Sequence, residues 1–266
     1  MGRRLGNHER QALAFSQLRD KRVIATGDLQ EPLGITSRQE SELLSRLARA
    51  GLIARVRRGL YLFPEKLPLG AKWSPDEALV LNTLLGDRDG LYQVCGPNAF
   101  SRYGFDDQVP TRVYAYNNRI SGARKVGSVA LSLIEVADER LGDTEQVETS
   151  GGDRLVYSSR TRTLVDAVYD WSRFGSLPRA YDWIRTELSA GRVEVEDLVR
   201  SAVRFSNQGT LRRLGALLEE EGASARQLGK LKKALTSNRS LVPMVPRTRA
   251  TGKVDRRWGV VKNDPR

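Results

Sequence analysis

The stretch TSRQESELLSRLARAGL, residues 36–52, runs directly into IARVRRGLYLF, residues 53–63, and the two together decide the fold. In the first, Ser37 and Glu40 have the S-x-x-E spacing of a capping box. Leu43, Leu44 and Leu47 recur at helical spacing, and Gly51 supplies a stop. The second alternates enough for two short strands pivoting around Arg57, Arg58 and Gly59. With the leucines turned inward at about 100° per residue, Arg38, Ser41, Glu42, Ser45 and Arg49 point outward and Arg46 lies at the flank.

Charge between two apolar segments has two readings, a solvated hairpin or a wing laid along a phosphate backbone. The preceding sequence bears on the choice. NHERQALAFSQLRDKR, residues 7–22, spaces Ala12, Phe15 and Leu18 as a helix with Asn7 as its cap. VIATGDLQEPLGI, residues 23–35, reads as a short second helix capped by Thr26 and carrying Leu29, broken by Pro32 and Gly34. Helix, short helix, turn, helix and hairpin is the order of a winged helix-turn-helix, whose third helix enters the major groove. On that reading residues 1–66 are a DNA-binding domain. Arg38 and Gln39, in the first helical turn, reach base edges, whereas Arg46 and Arg49 meet phosphates. Glu42 either repels phosphate or accepts from cytosine, and ordinary exposed side chains on a surface helix remain the alternative for each residue taken singly.

Charge distribution agrees with localised anion-binding surfaces. The 266 residues carry a formal net charge of +12. Residues 1–66 hold 13 Lys+Arg against 7 Asp+Glu, and residues 224–266 hold 12 against 2, while the middle is slightly acidic. Two basic ends on an acidic body favour a polyanionic partner such as double-stranded DNA. With one cysteine, Cys95, and one histidine, His8, an internal disulfide is excluded and little remains to hold zinc, so no metal or cofactor is expected. Without a signal-peptide core or an apolar run near the ~18 residues of a membrane span, the expected location is the cytoplasm.

Beyond PEKLPLGAKW, residues 64–73, which reads as a linker, a second and larger domain is expected over residues 67–266. Ser74 would cap a helix with Pro75 at its first position. Cys95 is expected in a short strand, as a buried structural thiol. TRVYAYNNR and GSVALSLIEV would form a hairpin joined by the turn SGARKVG, with DRLVYSSR as a further strand. RTRTLVDAVYDWSRF, LPRAYDWIRTEL, EVEDLVRSAVRF and TLRRLGALLEEEG show helical spacing and would pack on the sheet. The final basic segment starts as an amphipathic helix and becomes extended chain around Pro243 and Pro246. The class is therefore α+β, a winged helix-turn-helix plus a mixed α/β domain of a small sheet with packed helices.

Catalytic constellations are sparse. Phosphate-loop, zinc-protease and nucleophile-elbow motifs are missing from the sequence, so no catalytic residue is assigned. Glu135, Asp138 and Glu139 are close in sequence but lack the lysine a metal-dependent nuclease needs. Asp166 and Asp170, one turn apart beside Arg160 and Arg162, are explained by ion pairs at least as well as by catalysis. Two alternatives stay open, a nuclease or nucleotide-processing enzyme targeted by the winged helix, and a one-component regulator with an effector-binding domain.

The winged helix ending in RRGLY, the segment CGPNAFSRYGFDDQVP, the helix opening SRTRTLVDAV, the later TLRRLGALLEEEG and the terminal RRWGVVKN, in that order, resemble AbiEi-type antitoxins of type IV toxin-antitoxin systems. The resemblance implies a bacterial antitoxin whose winged helix represses its own operon at inverted repeats. It further implies a larger domain that counters a nucleotidyltransferase-like toxin, with basic surfaces that also touch DNA. Carried onto this sequence, the implied DNA contacts are Arg38, Gln39, Ser41, Ser45, Arg46 and Arg49 in the third helix and Arg55, Arg57 and Arg58 in the wing. No residue for antitoxicity is implied individually.

Overall fold

The computed structural model describes residues 5–66, 72–149, 151–236, 240–249 and 251–263. Its elements begin with α1 (Asn7–Leu18), β1 (Val23–Ala25), α2 (Gln30–Leu33), α3 (Ser37–Arg49), β2 (Ala54–Arg57) and β3 (Leu60–Leu62). Then come α4 (Glu77–Gly86), β4 (Tyr92–Val94), α5 (Pro97–Tyr103), β5 (Val113–Asn117), β6 (Gly122–Val126) and β7 (Val129–Glu135). A 3-10 turn (Asp138–Arg140) leads to β8 (Thr144–Glu148), β9 (Arg154–Ser158), α6 (Arg160–Tyr169), α7 (Trp171–Phe174), α8 (Arg179–Ser189) and α9 (Val195–Phe205). The chain ends with α10 (Gln208–Glu220), α11 (Ala225–Ala234), β10 (Val242–Pro243), β11 (Lys253–Asp255) and β12 (Val260–Lys262). The α+β class is as expected.

Two compact units share these elements. The first comprises residues up to Tyr92 with Thr111–Val136 and Gln146–Leu155; the second comprises Gln93–Pro110, Ala137–Glu145 and the chain from Val156 onward. Residue 66 thus closes the winged helix but not the first unit, because α4 and β6 both contact β2 and extend its core. Much of the expected linker falls on residues 67–71, outside those described.

In the first unit the winged helix is built around Ala12, Leu13, Leu43, Leu44 and Leu47, all at most 2% exposed. Leu18, expected in this stripe, is 86% exposed, and Phe15 is only half-buried. Leu13 and Ser16 take the inner face instead. The cap of α1 is Gly6, whose N–H donates to Glu9, rather than Asn7. Residues 23–25, expected before a helix capped by Thr26, form a strand, and β1 pairs antiparallel with β3 to make the order β1-β3-β2. The short helix α2 starts later, at Gln30, with Pro32 inside its first turn, where a missing N–H costs nothing, and Gly34 as its left-handed stop.

The same unit contains α4, capped by Asp76 rather than Ser74. Ser74 instead hydrogen-bonds Ser128. The expected hairpin of residues 111–119 with 127–136 is not formed. Its supposed turn, residues 122–126, is the strand β6, antiparallel to β7, while β5 runs parallel to β7. Gly127, at φ +61°, makes the tight reversal that lets β6 pair.

The second unit is a helical cluster. Its core gathers Leu164, Val168, Ile184, Leu214, Leu217 and Trp258, so these helices pack on one another. Cys95 is buried just after β4, not within it. The C-terminal segment departs most from expectation. Beyond α11 it forms a three-stranded sheet of order β10-β12-β11, with Pro243 on an edge strand, as proline requires. Trp258, 1% exposed, docks on α10 at Gly215, where any Cβ would overlap the indole. Its Nε1 donates to Glu219 Oε2 at 2.7 Å.

Candidate nucleic-acid interface

Helix α3 carries the expected base-reading residues, and its first turn is organised differently from the sequence expectation. Thr36 is the cap: its Oγ1 accepts from the Gln39 N–H at 3.3 Å, and Gln39 Oε1 accepts from the Thr36 N–H at 2.8 Å. The box is therefore Thr36 and Gln39, one residue earlier than Ser37 and Glu40. Glu40 is fully buried, and its carboxylate accepts from the N–H groups of Gly27 and Leu29 and from the Gln30 amide at 2.8–3.0 Å. Glu40 precedes Leu43 and Leu44 by three and four residues, which places it on the leucine face. There it ties the turn before α2 to α3 and fixes the angle at which α3 is presented.

The outward face matches the helical projection. Arg38, with a side chain 90% exposed, pairs with Glu42 one turn on, Nε to Oε1 at 3.0 Å. Ser41, Ser45 and Arg49 are exposed and share one open concavity with Glu42 and Arg46. Arg46 lies 3.9 Å from Glu9 of α1, and Arg49 Nε donates to the Ser45 carbonyl at 3.4 Å. Gln39 is exposed, but its amide oxygen is occupied by the cap, leaving Nε2 as its group for a base edge. A two-point contact to adenine needs both amide atoms, so it would require the cap to open.

The wing brings Arg55, Arg57 and Arg58 to the surface in and beyond β2. Gly59, at φ +79°, turns the tip, and its carbonyl accepts from the Thr26 N–H at 2.9 Å, tying the tip to β1. The three arginines are not equivalent. Arg57 makes a two-point contact with Asp87, Nε to Oδ2 at 2.6 Å with Nη2 on Oδ1, and Nη1 donates to the Arg58 carbonyl. The Arg57 hydrogen bonds hold the Asp87 carboxyl below its ordinary range. Arg55 Nε donates to the Arg57 carbonyl at 3.3 Å, and Arg58 has no ion pair among the described residues. Exposed Arg124 and Lys125 lie on β6, which contacts β2.

Asp87 and Glu40 are the residues that reading along the chain misses. Asp87 lies 30 positions from Arg57, with no local pattern to announce it. Among the described residues no group of three His, Cys, Asp or Glu side chains is arranged to hold a metal ion, and no helix is long and apolar enough to cross a membrane.

Comparison with known proteins adds three findings. The crystal structure of the RV2827C protein from Mycobacterium tuberculosis superposes with a TM-score of 0.62 at 18% identity, covering 97% of this chain and 92% of that one, which is a likeness of fold. No curated protein matches significantly. Residues 11–64 match the family described as "Transcriptional regulator, AbiEi antitoxin". That segment runs from within α1 to just past β3, so the resemblance to AbiEi-type antitoxins is borne out over the winged helix that carries the candidate DNA contacts.

Proposed function

We propose that this chain is a DNA-binding antitoxin that represses its own toxin-antitoxin operon at inverted repeats and counteracts a nucleotidyltransferase-like toxin in the cytoplasm, without catalysis of its own. The observation that carries the DNA-binding half is the outward face of α3, an arginine-bearing surface on a helix anchored by its leucines and by Glu40 and followed by a basic wing. A rigid helix with exposed donors suits major-groove reading, and a wing of cations suits phosphate contact. Residues 1–66 serve as the DNA-binding domain and the remainder carries antitoxicity. The test is gel-shift titration on the upstream inverted repeats, with co-expression of the toxin to score growth rescue. Binding equal to that on random duplex, or no rescue, would overturn the respective half.

Arg38 is assigned to base reading. Replacing it with Ala is expected to cost ~1–3 kcal/mol at one base pair and to relax preference there. Equal losses on operator and random duplex, measured by fluorescence anisotropy, would reassign Arg38 to backbone positioning.

In the wing, Arg58 supplies phosphate affinity and Asp87 restrains Arg57. Arg58→Ala should lower affinity for every duplex and reduce the salt slope by about 0.9. Asp87→Asn should move the slope in the opposite direction by releasing the Arg57 guanidinium. Titrations between 50 and 200 mM salt, roughly the range over which phosphate contacts dominate, separate the two. An unchanged slope for Asp87→Asn would mean that Arg57 is a structural strut of the wing.

A further inference from the structure

The second unit contains a cleft of about 350 Å³ at α10, α11 and the turn between β11 and β12. Arg212, Lys232, Arg256 and Arg257 line it, with Thr236 and Trp258, and among the described residues no acidic side chain does. Four cations converging on one concavity repel one another, and the folded chain accepts that cost. Nearby carboxylates are turned to bracing. Glu219 accepts from the Trp258 indole and pairs with Arg257, and Asp255 Oδ1 accepts from the backbone N–H groups of Arg257 and Trp258 at 2.9 and 3.2 Å.

Arg212 and Lys232 are held in place on one wall. Arg212 is 5% exposed, and its Nη1 donates to the Ser240 carbonyl at 2.6 Å. Lys232 donates to the Arg257 carbonyl and sits 5.0 Å from the Trp258 ring centroid. Arg256 is exposed and has no ion pair among the described residues, so its guanidinium is available to an incoming anion.

We propose that this cleft binds the polyphosphate group of a small phosphorylated ligand. Guanidinium and ammonium groups on several sides match an anion with several oxygens and spread charge, and charge-assisted bonds of this kind are the strong ones. The volume falls in the range of small-ligand sites. Trp258 is 1% exposed, so no base can stack on it, and recognition rests on the phosphates. Two sources carry that chemistry, a nucleoside triphosphate and an inorganic polyphosphate.

The experiment is isothermal titration of the full chain with sodium tripolyphosphate, ATP and adenosine. Tripolyphosphate and ATP are expected to bind and adenosine is not. A tighter ATP complex would point to a nucleotide, and equal affinities to inorganic polyphosphate. Arg256→Ala should weaken binding about tenfold, the loss of one charge-assisted contact, with an unchanged melting curve. Arg256→Lys should recover part of the loss, and Arg58→Ala in the wing should change nothing. Absence of binding by both phosphates, equal binding by Arg256→Ala, or loss on Arg58→Ala would overturn the assignment. An Arg256-dependent complex with duplex DNA that tripolyphosphate does not displace would overturn it too.

Discussion

Replacing Asp166 with Ala is expected to destabilise the second unit by about 3–5 kcal/mol, the range seen when one partner of a buried ion pair is removed. Asp166 is 1% exposed and Arg162 is fully buried. Asp166 Oδ2 accepts from Arg162 Nε at 2.9 Å, and Oδ1 accepts from Arg140 Nη2 at 2.9 Å. Arg162 also donates to the carbonyls of Arg140 and Gly142, and its guanidinium lies 3.7 Å from the Phe205 ring centroid. One carboxylate therefore balances two guanidinium groups and clasps the 138–142 segment onto α6. Without it, a fully buried cation is left with only carbonyls and a ring face. Arg173→Ala is the control, because the pair that this half-exposed arginine makes with Asp170 should be worth only ~0–1 kcal/mol. Urea unfolding followed by far-ultraviolet circular dichroism checks both, and a cost for Asp166→Ala within 1 kcal/mol or so of that control would contradict the clasp. The double replacement Arg162→Met with Asp166→Leu should restore much of the loss, since apolar packing commonly substitutes for such pairs.

That clasp also explains which parts of the molecule the sequence makes readable. Strong periodicity marks α3, α8, α9 and α10, whose bounds agree closely with the quoted runs, while the run from Arg160 to Phe174 breaks at Asp170 into α6 and α7. The ion pairing read at Asp166 and Arg162 follows from four-residue spacing on one helix, and it is present. Arg160, by contrast, pairs with Glu187 on a different helix, a partner no local spacing announces. The C-terminal segment differs from its sequence expectation for a similar reason. Prolines and arginines at 243–257 look like extended surface chain, but one tryptophan finds a matching glycine on α10, and that long-range fit orders the β10-β12-β11 sheet.

Residues 121–127 differ from the expected turn because three strands beside one another cannot be told from a two-strand hairpin by alternation alone. Beyond the wing, motifs of the family resemblance carry packing contacts. Gly96 faces Phe174 so closely that a Cβ would clash, Gly215 accepts Trp258, and Asp106 pairs with Arg179. The candidate interface was legible where it depended on helical projection, as at Arg38, Ser41, Ser45 and Arg49. It was not where it depended on distant partners, as at Asp87, or on the inward turn of a charged residue, as at Glu40.

Glu40 carries the second large effect, and it couples stability to DNA binding. Glu40→Ala would strip the acceptor from the buried Leu29 N–H, and also from the exposed Gly27 N–H and the half-buried Gln30 amide, which water can reach. An orphaned buried donor costs about 1–3 kcal/mol, and with Leu29 as the buried one the winged helix should lose roughly 2 kcal/mol or more. The consequence for DNA exceeds that of any single surface arginine, because α3 loses the tie that sets its angle against the preceding turn. Arg38, Ser41, Ser45 and Arg49 all ride on α3 and would be misplaced together. Glu40→Gln separates the effects: it preserves one carbonyl acceptor and the side-chain volume, and should fold with weaker operator preference. Both variants are read by thermal melting and by operator titration at one salt concentration. Glu40→Ala melting with the wild type, or binding operator as tightly, would remove Glu40 from its place as the anchor of the recognition helix. Ser37→Ala is the discriminating partner. If Ser37 and Glu40 formed the cap, both changes would cost the ~1 kcal/mol typical of a lost cap. With Thr36 as the cap and Glu40 inside, Ser37→Ala should be nearly silent while Glu40→Ala is severe.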